Sequence, residues 1–309
     1  MENFLKDYLN KIGMNGNYSA SKIPCEICSS EENTIIRENV SLGNNEYTKL
    51  PVVSCNNCGY IFQNPRFNEK FYDDFYSNKY RDLLFKKKIP SNDFIDDQIS
   101  RGQILFKFLE KHIVSKGNLL DVGSSVGGMM IPFINNGWQA LGTDPDKEYV
   151  EFGKKQMNLP VEDVKAEKMK LEDDFFDLII IMGSLEHVYD PNKTLSICKQ
   201  AAKDGSLILI EGRGHPQSSS KTYFNQNHHR YFTFNSMELI LLKYGWKPIL
   251  ITDEPICGPS RPGGIYCLGL LDKKLTNINI NNIINSGKRE IPSEIIEKFD
   301  ELDSKHGIA

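Results

Sequence analysis

The sequence predicts an α/β fold, a doubly wound sheet preceded by a small cysteine-rich module. Three observations predict it. Between Leu119 and Leu271, apolar runs of strand length alternate with amphipathic stretches of helix length. That alternation folds as a mainly parallel sheet with helices on both faces. At its head, Leu119-Leu120-Asp121-Val122 runs into Gly123-Ser124-Ser125-Val126-Gly127-Gly128, and a later apolar run ends in Leu141-Gly142-Thr143-Asp144. Upstream, Cys25-x-x-Cys28 and Cys55-x-x-Cys58 form two paired spacings.

Taken in order, residues 1–20 begin with a short helix whose apolar side is Phe4, Leu5, Tyr8, Leu9 and Ile12, followed by a Gly/Asn turn. Residues 21–80 form the cysteine module. Two Cys-x-x-Cys knuckles place four thiolates at the corners of a tetrahedron, the geometry Zn²⁺ prefers. Cys25, Cys28, Cys55 and Cys58 are therefore the expected ligands of a structural zinc, because four protein ligands leave no open position for catalysis. Gly59 follows the second knuckle, where positive φ is needed. Tyr60 to Arg66 reads as a strand ending in a turn. Phe71 to Tyr80 is an aromatic-rich helix that packs the module onto the next domain or brings a tyrosine to a substrate cleft.

Residues 81–271 are the α/β domain. Its first part, 81–100, is charged and irregular, a lid or linker with a helix start at Pro90 to Asp93. A helix from about Asp97 to Lys111 puts Ile99, Ile104, Leu105, Phe108 and Leu109 on one face. The glycine loop opens a helix over Gly128 to Asn136. Next come a helix from about Asp146 to Met157 and a strand from Pro160 to Val164. Phe176 to Met182 is nearly unbroken in its apolarity, as a strand buried on both faces should be. Beyond Gly183 to Pro191 follow a helix (Thr194 to Lys203), a turn at Asp204-Gly205 and a strand (Ser206 to Glu211). A helix (Ser236 to Tyr244) and two strands (Trp246 to Thr252, Ile265 to Leu271) complete the domain. Residues 272–309 are a polar tail with one helix, Pro292 to Leu302.

Composition narrows the function. The formal net charge of −4 lacks the basic footprint of a nucleic-acid partner. No stretch of about eighteen apolar residues is present to span a membrane. The first residues carry Glu2, Lys6, Asp7 and Lys11 rather than the apolar core of a signal peptide, so the cytoplasm is the expected location. In a reducing compartment, seven cysteines serve metal or chemistry before disulfides. Oligomeric state leaves no mark.

The βαβ unit at 119–144 has the pattern of a nucleoside site. Small residues at 123, 125 and 127 let the backbone pass close to a ligand, and Asp144 ends a strand where a carboxylate accepts from both ribose hydroxyls. The spacing Asp121-x-Gly123-x-Ser125-x-Gly127 differs from the dinucleotide fingerprint G-x-G-x-x-G. It resembles the D/E-x-G-x-G-x-G of class I S-adenosylmethionine (SAM)-dependent methyltransferases, with Ser125 at the middle glycine. Phe176-Asp177-Leu178-Ile179 followed by Leu185-Glu186-His187-Val188-x-Asp190-Pro191 is similar to the fourth-strand motif of small-molecule members of that class. The resemblance covers roughly residues 115–271 and implies a Rossmann-like class I methyltransferase sheet beside a zinc-ribbon-like module. It also implies a cofactor site: Gly123 and Ser125 approaching the methionine part of SAM, Asp144 at the ribose, Ala166 and Glu167 bordering the adenine, and Met182, Gly183 and Ser184 beneath the sulfur, with Asp121, Ser124, Gly127 and Pro145 also binding the cofactor. Glu186 and His187 read as capping and packing residues.

The module extends the resemblance. Its cysteines, Asn64-Pro65-Arg66 and Tyr76-x-x-x-Tyr80 resemble the N-terminal module of sugar C-methyltransferases from antibiotic and O-antigen pathways. In that family a module tyrosine and a Glu-His pair after the fifth strand serve the deoxysugar. Here Asn225 to Thr233 lies at the corresponding place: His228 matches the histidine, and Asn227 stands where glutamate is expected. The family's sizeable C-terminal domain has no counterpart in the forty or so residues after Leu271. The resemblance implies His228 as general base, with Tyr76 as a neighbouring donor, and a nucleotide- or lipid-linked sugar as the small-molecule acceptor, held between module and sheet against Lys221 to Thr233. Two alternatives are a zinc-ribbon rRNA methyltransferase, which requires a basic surface, and a non-catalytic SAM-binding module.

Overall fold

The computed structural model describes residues 3–80, 89–214, 223–261, 263–275, 278–287 and 289–305. Helix α1 (Asn3–Lys11) buries Leu5, Tyr8 and Leu9. They pack against Phe67 and Phe71, with Tyr8 5.8 and 6.1 Å from the two rings. Strand β1 (Ala20–Ser21) leads into the first knuckle. A long hairpin, absent from the sequence reading, follows: β2 (Asn33–Gly43) and β3 (Glu46–Cys55). Its turn, Asn44-Asn45, has φ of 50° and 62° at both residues, the primed geometry whose twist matches the strands it joins. Strands β4 (Ile61–Gln63) and β5 (Arg66–Phe67) and helix α2 (Glu69–Asn78) complete this part. The Asn68 side chain caps α2 by accepting from the Phe71 N–H.

Helix α3 spans Asn92–Leu109, starting earlier than the apolar periodicity suggested. Ser91 decides the start by accepting the Phe94 N–H at 3.3 Å, so the helix begins at its cap. Its buried face is Gln98, Arg101, Gly102, Leu105 and Leu109; Ile104, expected inside, is exposed. Residues 81–88 of the expected lid or linker lie outside the described residues.

Strand β6 (Asn118–Val122) then enters the glycine loop, a single turn (Gly128–Met130) and α4 (Ile131–Asn135), where Pro132 sits in the first helical turn. The rest of the sheet domain is β7 (Gln139–Asp144), α5 (Lys147–Gln156), β8 (Val161–Asp163), β9 (Phe176–Met182), α6 (Pro191–Ala201), β10 (Ala202–Arg213), β11 (Arg230–Tyr231), α7 (Phe234–Lys243), β12 (Trp246–Thr252) and β13 (Gly264–Leu271). The predicted turn at Asp204-Gly205 is an irregularity inside β10, where the pairing register shifts between Ala202 and Leu207. The tail forms α8 (Ile280–Asn285) and α9 (Pro292–Lys305).

Among the described residues the main sheet has seven strands in the order β12-β13-β10-β9-β6-β7-β8. The five from β10 to β8 run parallel, and β13 is antiparallel to both its neighbours. Leu178, Ile179, Ile180 and Ile181 of central β9 are fully buried, which explains their unbroken apolarity. A second, antiparallel sheet runs β11-β4-β3-β2. It draws β11 from far along the chain, with Arg230 opposite Phe62 and Tyr231 opposite Ile61. Helix α9 folds back on the same sheet: Ile295 and Phe299 are buried, and Asp303 meets Arg37 at 2.6 Å.

Candidate functional site

The carboxyl ends of β6, β7 and β9 open into a cleft of about 580 Å³, within the range of small-molecule sites. The glycine loop forms its floor. Gly123 has φ of +79°, and a Cβ there would lie 2.4 Å from the Ser184 Cβ. Only glycine satisfies both constraints. Ser125 adopts φ of 55°, so a serine here takes the left-handed backbone that the related motif gives to glycine. Gly127, expected to touch cofactor, does not line the cleft. Its φ of +84° turns the chain into the next helical turn, and a Cβ would strike Val161 and Met130; it serves turn and packing. The other eleven expected cofactor residues do line the cleft: Asp121, Gly123, Ser124, Ser125, Asp144, Pro145, Ala166, Glu167, Met182, Gly183 and Ser184.

Two acids give the floor its charge. Asp144 is held by the Ser125 N–H on Oδ2 (2.8 Å) and the Asp146 N–H on Oδ1 (2.9 Å). Burial, reinforced by Asp144, pushes the Asp121 carboxyl up to about 7, and a cation bound beside it would favour its ionised form. Glu167 accepts the Asp190 N–H at 3.0 Å, tying the side of the cleft to the loop after β9. That loop is also pinned where the Ser184 hydroxyl donates to the Val122 carbonyl at 2.6 Å.

The far end of the cleft is aromatic and polar. Tyr72, Tyr76 and Tyr80, from α2 and the residues after it, line it opposite His187. His187 Nδ1 lies 2.8 Å from the Asn227 carbonyl and 3.2 Å from the Tyr76 hydroxyl. A carbonyl only accepts, so Nδ1 carries the proton and Nε2 the lone pair. Burial lowers the His187 pKa to about 4, leaving it neutral at physiological pH. Glu186 beside it is pushed up to about 7 by burial, and its Oε2 is buried with no partner among the described residues.

Of the two residues expected to be catalytic, Tyr76 lines the cleft and His228 does not. The His228 ring stands 4.9 Å from the His187 ring, both half-buried, with Nδ1 2.9 Å from Asn225 Nδ2. None of the described residues of the expected lining stretch, 223–233, reaches the cleft. They are committed to the smaller sheet through the pairing of β11 with β4 and a bridge from Asn225 to Ser41; Lys221 and Thr222 lie outside the described residues. His187, which reads as a packing residue in sequence, lines the cleft, and so do Gln98 and Arg101, which the sequence does not single out for the site. The signal for the last two was present: polar residues on the buried stripe of a helix. Gln98 accepts the Gly128 N–H at 3.1 Å, and Arg101 pairs with buried Glu211 at 3.1 Å.

The four cysteines converge as expected. The Sγ atoms of Cys25 and Cys58 are 3.5 Å apart, as are those of Cys28 and Cys55, and all four are buried and unbonded to one another. Four thiolates on one zinc stand about 3.8 Å apart, given Zn–S bonds of about 2.3 Å. The donor set and its spacing fit such an ion.

In sequence, residues 96–251 match the family described as a methyltransferase domain. The chain belongs to that family. A ubiquinone biosynthesis O-methyltransferase from Coxiella burnetii is 28% identical over 113 residues, 35% of this chain and 48% of that protein. Its counterpart from Cereibacter sphaeroides is 28% identical over 96 residues, 29% of this chain and 39% of that one. The chain thus spans about half the length, or less, of these curated relatives. Among solved structures, the 1,6-didemethyltoxoflavin-N1-methyltransferase of Burkholderia thailandensis, with bound 1,6-didemethyltoxoflavin and S-adenosylhomocysteine (SAH), is similar in fold. Its TM-score is 0.54 at 13% identity, over 76% of this chain and 100% of that one. The main sheet therefore has the Rossmann-like fold of a methyltransferase domain. The cleft has groups that fit S-adenosylmethionine: Asp121 can meet a cationic group, Asp144 can accept from ribose hydroxyls, and the Oγ atoms of Ser124 and Ser125 are buried without partners among the described residues.

Two outcomes follow for this site. Asp144→Ala should weaken SAH binding by about 1.5–3 kcal/mol for each ribose hydrogen bond lost to a charged acceptor, and Gly123→Val should abolish it. Calorimetry with SAH reads both, and unchanged affinity in Asp144→Ala would move the ribose elsewhere. The second outcome concerns pH. His187 should stay neutral at pH 6, with a titration midpoint near 4 in histidine ¹⁵N spectra; a midpoint at or above 6 would contradict its burial. Because its folded pKa lies below the unfolded value of about 6.5, the unfolded chain binds the extra proton between them. This residue's contribution to stability is therefore lost as pH falls from 6.5 towards 4. Glu186 and Asp121, both raised to about 7, act in the opposite direction between pH 7 and the ordinary carboxylate range.

Proposed function

We propose that the chain transfers a methyl group from SAM to a small polar acceptor, a sugar or glycan precursor linked to a nucleotide or lipid. One observation carries this reading: Tyr76, from the helix that follows the cysteine module, stands in the same cleft as the SAM loop, its hydroxyl 3.2 Å from His187 Nδ1. The acceptor seat is then shared between module and sheet, with Tyr72 and Tyr80 as stacking faces for a ring. This supports a division into a leading helix (1–20), a zinc module (21–80), a methyltransferase domain (81–271) and a helical tail (272–309). One structural zinc on Cys25, Cys28, Cys55 and Cys58 holds the module.

SAM, when bound, supplies an electrophilic methyl group on its sulfonium. The chain's own residues must orient the acceptor and take its proton. His187 is the better-placed base, with Nε2 unprotonated and Nδ1 fixed by Asn227; Tyr76 orients the acceptor, and His228 stands beside His187. An imidazole whose pKa is near 4 is a weak base. It suits an acceptor with an acidic proton, such as a carbon beside a ketone, over a plain hydroxyl. No helix among the described residues is long and apolar enough to cross a membrane.

The test is SAH release with a panel of acceptors: nucleotide-linked 4-keto sugars, the same sugars reduced to alcohols, and simple phenols. Turnover confined to the keto sugars is expected. Turnover of phenols alone would replace the sugar reading with phenolic O-methylation, in keeping with the names of the curated relatives.

A further inference from the structure

Building on the methyl-transfer reading, we propose that Arg230 is a positioning residue: it locks the cleft loop 185–189, and His187 with it, to the cysteine module through Glu26. The Arg230 side chain is fully buried. One edge of the guanidinium meets the Glu26 carboxylate, with Nε donating to Oε2 at 2.8 Å and Nη2 to Oε1 at 2.6 Å. The other N–H groups go to main-chain carbonyls of the cleft loop. Nη1 donates to Val188 O at 2.5 Å and Leu185 O at 3.5 Å, and Nη2 to Tyr189 O at 3.0 Å. These carbonyls bracket Glu186 and His187.

Both ends of this fork are anchored. Glu26 lies between Cys25 and Cys28, so the first knuckle fixes its backbone. It also accepts from Arg66 Nη1 at 2.5 Å and the Tyr60 hydroxyl at 3.2 Å, and its carbonyl accepts from Lys243 Nζ at 2.7 Å. On the cleft side, the residues just before Arg230 grip the same loop. The His229 N–H donates to Glu186 O at 3.0 Å, and Asn227 O receives the His187 Nδ1 proton. Residues 227–230 thus close onto 185–189 from one end to the other.

A buried ion pair is weak evidence for stability, because desolvating two charges offsets most of their attraction. What Arg230 adds is geometry. A guanidinium presents five donors in a fixed plane, enough to satisfy a carboxylate and three carbonyls at once, whereas an ammonium is a point charge with three rotatable donors. The Leu185 carbonyl is buried and those of Val188 and Tyr189 are partly withdrawn from water; carbonyls so placed demand donors, and the loop rests where those N–H groups are.

The experiment uses the full chain with its metal and three variants: Arg230→Lys, Arg230→Gln and the double change Glu26→Gln/Arg230→Gln. Lysine keeps the charge, and Arg230→Gln leaves Glu26 paired with Arg66, so neither strands a buried carboxylate; the double change also takes the carboxylate from Arg66 and is read beside the single variants. Three readouts are taken: hydrogen exchange by mass spectrometry over 184–190, the histidine ¹⁵N signal of His187 (assigned with His187→Asn), and SAH affinity by calorimetry. In every folded variant, exchange over 184–190 should rise by roughly tenfold or more and His187 should lose its single tautomer. SAH affinity should change by less than about threefold, and exchange in β6 and β9 should stay at the wild-type level. Wild-type exchange over 184–190 in Arg230→Lys or in the double variant overturns the proposal. So does general unfolding of all three variants, which would make Arg230 a plain structural residue. Failure of the wild-type chain to bind SAH would sink the methyl-transfer reading while leaving the loop measurement intact.

Discussion

Cys55→Ser should produce a chain that holds no zinc and melts roughly 10 °C or more below the wild type. Cys55 ends β3 at zero exposure, and its carbonyl accepts the Gly59 N–H at 2.9 Å to close the second knuckle. The four thiols belong to the same apolar cluster as Val122, Ile179 and Ile210 of the main sheet, so loosening them loosens the domain as well. Structural zinc in small Cys-rich modules is worth about 10–16 kcal/mol of apparent binding free energy, which is folding free energy when the site exists only in the folded chain. A serine hydroxyl cannot replace a thiolate ligand, so most of that should be lost. Metal analysis should find one zinc per wild-type chain, and a pure, folded wild type without zinc would end the metal assignment. Treatment of the wild type with a strong chelator should reproduce the variant's melting curve.

His187→Asn should lower kcat by roughly 10²–10⁴, the usual contribution of a positioned general base, once an acceptor is identified by SAH release. Asparagine retains a side-chain N–H for the Asn227 carbonyl, so the loop keeps its anchor while the Nε2 lone pair is lost. SAH affinity should therefore change little. His228→Asn should cost less, because His228 does not line the cleft. A loss under about threefold in His187→Asn would return that residue to packing, and a larger loss in His228→Asn than in His187→Asn would reverse their roles.

The floor of the cleft was legible in the sequence because its residues are neighbours along the chain. A strand end, a small-residue loop and an acid at the end of the next strand are fixed by local geometry, and eleven of the twelve expected positions meet in one cleft. Gly127 escaped because turn formation and ligand approach both select glycine, and sequence does not separate them. The paired cysteines were legible for a similar reason: the two-residue gap within each knuckle is itself the geometric constraint.

The sequence by itself thus determined the α/β architecture, the small-residue floor of the cleft and the convergence of the four cysteines. Tertiary structure alone decided the far, aromatic end of the cleft. Tyr76, His187, Asn227 and Arg230 are far apart in the chain and meet only because β11 joins the smaller sheet beside β4. Of two neighbouring histidines, His187 lines the cleft and His228 does not, a difference that the sequence leaves open. Burial then set its chemistry, since the low pKa of His187 comes from desolvation, a property of the packed surroundings that no local spacing encodes.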